Sequence, residues 1–385
     1  MTTGLARALV ALPSMGLGGT EKHSAALANA LAEAGVAVTV ALEPALDAGF
    51  AAMLGWPTRV HRLAVPLGWQ PRATPEANMD RQEAALAEAL AASRPDLVIL
   101  PLPWPTHGLG LFRGLHAAGL PSLVIHHLAP REPEPPLPEA ALAVLAALPD
   151  APFCWAAVAA PVAARAAARL GLPEAGFAVV PNGVPALPVD PVDRAAARAR
   201  QRRRLGLSPE AKLLVFAGRL ELSKGADLLP EIARRLETAA GATLAALGEG
   251  SLRAPLAASP AGRRDGPLRL LGHVDDVPDW LLAADALLLP SRLEGCPLVF
   301  LEAAVRRCPV IASGDALEAF GAEAPRLAAI APAGGVAHLT DKAAVRLNDP
   351  ASARAAVDAA YRSAVALDEA AMLRRYFSLI RAALA

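Results

Sequence analysis

Three observations predict an α/β protein of two doubly wound domains that face each other across a cleft. Short β-prone runs alternate with longer helical ones along 385 residues, the rhythm of βαβ units and a parallel sheet. The alternation breaks at PALPVDPVDR (185–194), where Pro, Asp and Val mix as they do in a linker. An apolar fraction of 54% supplies material for two cores, although alanine makes up much of it.

The elements follow in order. ARALVAL opens the chain as a strand, a helix runs from about Thr20, and VAVTVAL is the next strand. A helix over PEANMDRQEAALAEALAAS leads to the strands DLVILPL and PSLVIHHL. FCWAAVAA, a helix through AARAAARLG, and FAVVPNGV close the first series, which defines a domain over 1–187. The second series reads KLLVFAGRL, ATLAALGEG, PLRLLGHV, DALLLPS, CPVIAS and RLAAIAP, and defines a domain over 188–367. From Asp341 the text is helical, and its last amphipathic segment, 368–385, is expected to pack back on the N-terminal domain.

Composition excludes several classes. No apolar run reaches the roughly 20 residues of a membrane span, because Pro13, Asp285 and Pro290 interrupt the best candidates. MTTGLARALVALPSMG reads as a first strand rather than a signal peptide. Zero formal net charge gives no reason to expect nucleic acid as a partner. Acids outnumber bases up to Asp190, so docking on an anionic membrane is weak at most; beyond it the balance reverses, helped by RARQRRRLG (198–206), which reads as a solvated helix face. Cys154, Cys296 and Cys308 are odd in number with no C-x-x-C pair, indicating neither a zinc site nor a disulfide framework, and the compartment reads as cytoplasmic.

In open parallel sheets ligands bind beyond the carboxyl ends of the strands, so the loops there are where chemistry is expected. After the first strand comes SMGLGGTEKH. It fails the dinucleotide fingerprint at Glu21 and the phosphate-loop motif after Gly19, leaving Gly16, Gly18 and Gly19 as a bare backbone rim beside a helix start. The strongest constellation is LLLPSRLEGCPLVFLEAAVRRCPVIAS (287–313). There Glu294 follows a buried strand, Pro297 sits where a helix begins, and Glu302 lies one to two turns inside it. Paired carboxylates accept from vicinal hydroxyls, and the amides of Gly295, Cys296 and Leu298, with Pro297 among them, suit an anionic or carbonyl group. In FAGRLELSKG, Arg219 and Lys224 are spaced to converge on one pair of phosphates. His126 and His127 end another strand and point to opposite faces, so at most one reaches the cleft. His107 and Trp104 follow a further strand, where the indole is available for sugar stacking. Asn182 and Gly183 most simply make a turn.

These segments together resemble the retaining GT-B glycosyltransferases of the family 4, group 1 type. Glu294 to Glu302 has that family's E-x7-E spacing, and VFAGRLELSKGADLL looks like its G-R-L…K-G segment. VVPNGV, ALGEGSLRAPL, LGHVDDVPDWLLAADALLLPS and GLGGTEKHSAALANALAEAGVAVTV match further family segments in the right order. The resemblance implies two Rossmann-like domains and transfer of a sugar from a nucleoside diphosphate sugar to an acceptor hydroxyl, with retention of configuration. It gives Arg219 and Lys224 the donor diphosphate, Glu302 the ribose, and Glu294 with the 295–298 backbone the donor sugar. His127 is the histidine expected near the transferred sugar, while His107, Trp104 and Asn182 are acceptor-side candidates. No cofactor or obligatory metal is implied, and the partners are a nucleotide sugar and a carbohydrate or glycolipid acceptor in bacterial lipopolysaccharide, exopolysaccharide or other glycoconjugate synthesis. Competing expectations are a GT-B nucleotide-sugar epimerase and a non-catalytic nucleotide-sugar-binding protein. Four positions depart from the family pattern. Arg307 stands where glycine usually ends a helix, so a different cap is expected; SGDALEAFGAEAP lacks the usual Gly-Gly and glutamate; DLVILPLPW lacks a histidine; WAAVAAPVAARAA lacks a serine.

Overall fold

The computed structural model describes residues 4–185 and 190–384. The described chain divides into two compact units: one takes the residues up to Asn182 and those from Ala370 on, the other Gly183–Glu369. The boundary expected between 187 and 188 lies outside the described residues.

The first unit is built on a seven-stranded sheet: β1 (Arg7–Leu12), β2 (Ala37–Leu42), β3 (His61–Ala64), β4 (Leu97–Leu102), β5 (Ser122–His126), β6 (Phe153–Ala157) and β7 (Phe177–Val179). Their order is β3-β2-β1-β4-β5-β6-β7, every pair parallel. Strand β4, LVILPL, is buried at all six positions, as expected of a parallel strand covered on both faces. The sequence reading missed β3, because HRLA at the sheet's edge has no fully buried residue and no apolar run. Helices Gly19–Glu33 and Pro75–Ser93 have the expected places.

The second unit carries six parallel strands, β8 (Lys212–Ala217), β9 (Ala242–Leu247), β10 (Leu268–Gly272), β11 (Ala286–Leu289), β12 (Val310–Ser313) and β13 (Ala329–Ala331), in the order β10-β9-β8-β11-β12-β13. One of its core clusters joins Leu214, Phe216, Leu244 and Leu288 of the sheet to Ile232 and Leu236 of helix Leu229–Ala240. Winding direction reverses between β1 and β4 in the first unit, and between β8 and β11 in the second. At these switch points loops diverge and leave a crevice. No described helix is long and apolar enough to cross a membrane.

Three expectations are corrected. The arginine-rich run is a solvated face only in part: Arg200, Arg203 and Arg204 are exposed, but helix Pro191–Arg204 lays Arg202 into the second unit with a side chain 1% exposed. Its guanidinium donates to the carbonyls of Ala211 and Ala283 and to Asp285 Oδ2, each at 2.9 Å. Asp285 also accepts from Arg198 at 2.7 Å and from the Leu213 amide at 2.8 Å, so the burial cost of the charge is met by dedicated partners. Charge alone had suggested solvent; Ala283 and Asp285 lie 81 and 83 residues away in sequence, out of sight of local pattern. Nor do Asn182 and Gly183 make a turn. Val184 forms a parallel bridge with Asp368, and a Cβ on Gly183 would lie 2.5 Å from the Asp368 carbonyl oxygen, so the glycine serves close backbone approach.

Arg307 takes the glycine's place without changing the cap. Helix Leu298–Val305 ends in a pair of bonds from Cys308 N to Ala303 O and from Arg307 N to Ala304 O, each 2.9 Å, with Arg307 left-handed at φ +52°. This is the Schellman arrangement usually closed by glycine. The side chain holds the strained backbone: it pairs with Asp358 at 2.6 Å and lies 4.1 Å from the centre of the Tyr361 ring. Arg307→Ala should therefore destabilise by about 1 kcal/mol, losing ion pair and cation–π contact while keeping the strain. Arg307→Gly should stay within about 0.5 kcal/mol of wild type, because relief of the left-handed residue offsets those losses. Urea denaturation of both variants checks the order, and equal losses would refute it.

Candidate functional site

In the second unit two loops are fixed together at the β8/β11 switch point. The turn after β8 is pinned to the turn after β9 by bonds from Gly218 N to Leu247 O (3.0 Å) and from Leu220 N to Glu249 O (2.8 Å). A Cβ on Gly248, at φ +130°, would lie 2.1 Å from the Gly218 carbonyl oxygen, so the Gly-x-Gly turn is demanded by backbone contact. Next, a single 3-10 turn, Leu222–Lys224, is closed by left-handed Gly225, whose missing Cβ admits the Pro290 carbonyl at the end of β11. The Ser223 carbonyl accepts from the amides of Arg292 (2.8 Å) and Leu293 (3.2 Å). Arg292 reaches back to the Leu222 carbonyl at 2.7 Å and grips both oxygens of Asp227 at 2.6 and 2.9 Å.

This scaffold brings Lys224 and Glu294 into contact. Lys224 Nζ donates to Glu294 Oε2 at 2.7 Å, with side chains only 17% and 10% exposed. Ser291 Oγ donates to the other carboxylate oxygen at 2.9 Å, and Ser313 Oγ donates to the Ser291 carbonyl. The two residues assigned separate roles from sequence are thus one hydrogen-bonded pair. Arg219 stands exposed past the end of β8. Gly295, Cys296 and Pro297 are buried, and helix Leu298–Val305 follows with no side-chain cap on its amides. Glu302 is half-buried on that helix, where its carbonyl accepts from Arg306 at 3.0 Å. Three free cysteines are present, and among the described residues no group of three or more His, Cys, Asp or Glu side chains is placed to hold a metal ion.

In the first unit the glycine loop sits at the β1/β4 switch point. A Cβ on Gly16 would meet nothing within 4 Å, and one on Gly18 would meet only Glu21 Oε2 at 3.5 Å. Neither has a positive φ, so nothing within the unit demands glycine at these positions. The strand-end histidines separate as strand geometry requires. His126 is fully buried, stacked on Trp155 at 5.9 Å and beside Phe177 at 5.7 Å. His127, 5% exposed, meets the ring of His23 at 4.7 Å, and His23 in turn meets Tyr376 of the last helix at 5.1 Å. Burial pushes the imidazoles down, His23 to about 4 and His126 to about 3. His127 falls well below the ordinary range for the same reason, with the neighbouring His23 and His126 adding to it. After β4, His107 stacks on Trp69 and lies near Trp104, and its imidazole is lowered to about 4 by burial. Asn182 is buried at the end of the unit. Sequence reasoning missed Trp69, His23 and Ser291; Trp69 follows the end of β3, the strand that the sequence did not reveal, and only the G-G-T-E-K-H spacing pointed toward His23.

The family described as Glycosyltransferase Family 4 matches residues 17–186, and Glycosyl transferases group 1 matches residues 211–349. The chain belongs to this glycosyltransferase family. Among curated relatives, the D-inositol 3-phosphate glycosyltransferase of Xylanimonas cellulosilytica is 37% identical over 152 residues, 35% of this chain and 34% of that protein. The putative teichuronic acid biosynthesis glycosyltransferase TuaC of Bacillus subtilis is 38% identical over 112 residues, 29% of this chain and 26% of that protein. The matched region thus spans about a third or less of these relatives' length. The fold is that of GT-B glycosyltransferases. WaaG, a glycosyltransferase involved in lipopolysaccharide biosynthesis, aligns over 97% of this chain and 99% of its own with a TM-score of 0.70 at 16% identity. Anabaena HepE in complex with UDP and glucose aligns over 98% and 100% with a TM-score of 0.74 at 15% identity.

The buried histidines set an acid limit. Unfolded, each binds a proton near pH 6.5; folded, His126 holds none until about pH 3, so stability is full above about pH 6.5 and falls as pH drops through that window. His126→Phe, which keeps a ring against Trp155, should flatten the decline of unfolding free energy between about pH 6.5 and pH 4. An unchanged slope in denaturation at stepped pH would remove His126 from this account.

Proposed function

We propose that the chain transfers a sugar from a nucleoside diphosphate sugar to an acceptor hydroxyl with retention of configuration. The observation that carries this reading is the Lys224–Glu294 pair, buried and fixed at the β8/β11 switch point, with Arg219 exposed after the same strand. An ammonium has three donors, so Lys224 can keep its bond to Glu294 and offer the others to phosphate. Arg219 and Lys224 then stabilise the charge that develops on the departing diphosphate, a role that in other enzymes a metal ion fills. On this reading there is no cofactor and no obligatory metal. Glu302 accepts from the ribose, and Glu294 with the 295–298 backbone holds the donor sugar.

The first unit supplies the rest. Gly16, Gly18 and Gly19 give the ligand room to approach backbone, His127 lies near the transferred sugar, and His107, Trp104 and Asn182 serve the acceptor. Kinship to a putative teichuronic acid biosynthesis enzyme and likeness to a lipopolysaccharide one support a carbohydrate or glycolipid acceptor in bacterial glycoconjugate synthesis. The work is assigned to the cytoplasm, at its membrane face where the acceptor is a glycolipid.

Incubation with nucleotide sugars and an acceptor panel tests the reading: nucleoside diphosphate should appear in step with glycosylated acceptor. Binding of donor without release under every acceptor would overturn transfer. Lys224→Ala and Glu294→Ala should each lower kcat/KM by about a hundredfold or more. Because the two side chains act together, the double variant should be less impaired than the product of the singles by about 1–3 kcal/mol of coupling. Strict additivity would mean that the ion pair has no part in catalysis. Gly18→Val should impair transfer more than it impairs binding of free nucleotide, and equal losses in both assays would count against the backbone rim.

A further inference from the structure

We propose that Trp69, His107 and Trp104 form a carbohydrate platform on the first unit, which receives a pyranose ring of the acceptor glycan. The word acceptor rests on the transfer reading above; the platform itself does not. Trp69 lies flat on His107, ring centres 5.7 Å apart and 6° from parallel, and Trp104 closes on the same imidazole at 6.2 Å and 36°. Both indoles are only half-buried, whereas Gln82 and Asn78, which hold the loop of Trp69, are not exposed at all.

The loop that carries Trp69 is tied to helix Pro75–Ser93 by two fully buried amides. Gln82 donates to the carbonyls of Leu67 (2.9 Å) and His107 (2.7 Å) and accepts from Gly110 N (3.2 Å). Asn78 accepts from Gln70 N at 2.8 Å and donates to Gln70 O at 2.9 Å. Glu43 accepts from the Gly68 amide at 2.6 Å. Three polar side chains thus fix the backbone on either side of one half-exposed tryptophan, and Gln82 fixes His107 to the same frame. A core needs no such effort to place an indole; a binding surface that must lose little entropy on association does.

The chemistry of the surface selects the ligand. Stacked aromatic faces take the apolar C–H face of a sugar ring. At the rim, Trp104 Nε1 donates to Glu134 at 2.7 Å, and Glu134 pairs with Arg169 at 2.8 Å, with both side chains about a fifth exposed. A carboxylate beside a guanidinium accepts from and donates to hydroxyls. Such a rim disfavours an acyl chain, which would leave the ion pair desolvated, and its carboxylate disfavours a polyanion. With His107 neutral above about pH 4, the platform carries no net charge of its own under ordinary conditions.

The test uses the whole chain with no donor present. Maltotriose, cellotriose and N,N′,N″-triacetylchitotriose are titrated in turn and followed by ligand-observed saturation-transfer NMR. At least one should bind, with affinity reduced about tenfold or more by Trp69→Ala and restored by Trp69→Phe. The same Ala variant should raise KM for acceptor and leave KM for the donor unchanged. Absence of binding by all three, or binding indifferent to Trp69→Ala, overturns the platform. Glycan binding lost in Trp69→Ala without any turnover would uphold the platform and fail the transfer reading; turnover with an unaltered acceptor KM would do the reverse.

Discussion

A parallel strand covered on both faces has room for little but apolar side chains, and this constraint governs where the protein keeps its chemistry. β4, β11 and β12 are buried along their whole length, and β8 at all but its two ends. Polar side chains that need both a fixed position and access have to stand beyond the strand ends, and the reversal of winding opens a crevice there. Lys224 and Glu294 meet at one such reversal, with Trp104 and His107 just past β4 at the other. The same constraint explains the glycines of the second unit: loops forced together at strand ends pack backbone on backbone, as Gly225 does on Pro290 and Gly248 on Gly218.

Much of this was legible in the sequence because it is local. The strands other than β3 announce themselves as apolar runs, and Glu294 to Glu302 reads as a block since both its glutamates lie within one loop and one helix. What was illegible is pairing over distance. Buried Arg202 and partly buried Asp285 are partners separated by 83 positions, and neither residue alone looks different from a surface charge. The contact of Lys224 with Glu294 spans 70 positions and turns two independent assignments into one. Trp69 belongs to a loop whose place is set by Gln82 and Asn78, two polar residues on a helix that the apolar periodicity of that helix does not single out. Arg307 shows the opposite limit: the helix end was visible, but that an arginine would hold a left-handed backbone depends on Tyr361 and Asp358 being near.

The two units use opposite electrostatic strategies. In the second, opposite charges are paired: Lys224 donates to one oxygen of Glu294 at 2.7 Å, and the Ser291 hydroxyl donates to the other at 2.9 Å. A fixed cation of this kind does not have to reorganise when negative charge develops next to it, which is the condition for large electrostatic stabilisation. In the first unit imidazoles are buried and left neutral. His23, His126 and His127 pack against rings and against one another, and desolvation outweighs any gain from protonation. A neutral imidazole keeps one nitrogen as acceptor and one as donor, which suits hydroxyl groups and not phosphate. This difference in side-chain chemistry supports the proposal that Arg219 and Lys224 meet the diphosphate and that the first unit serves the acceptor.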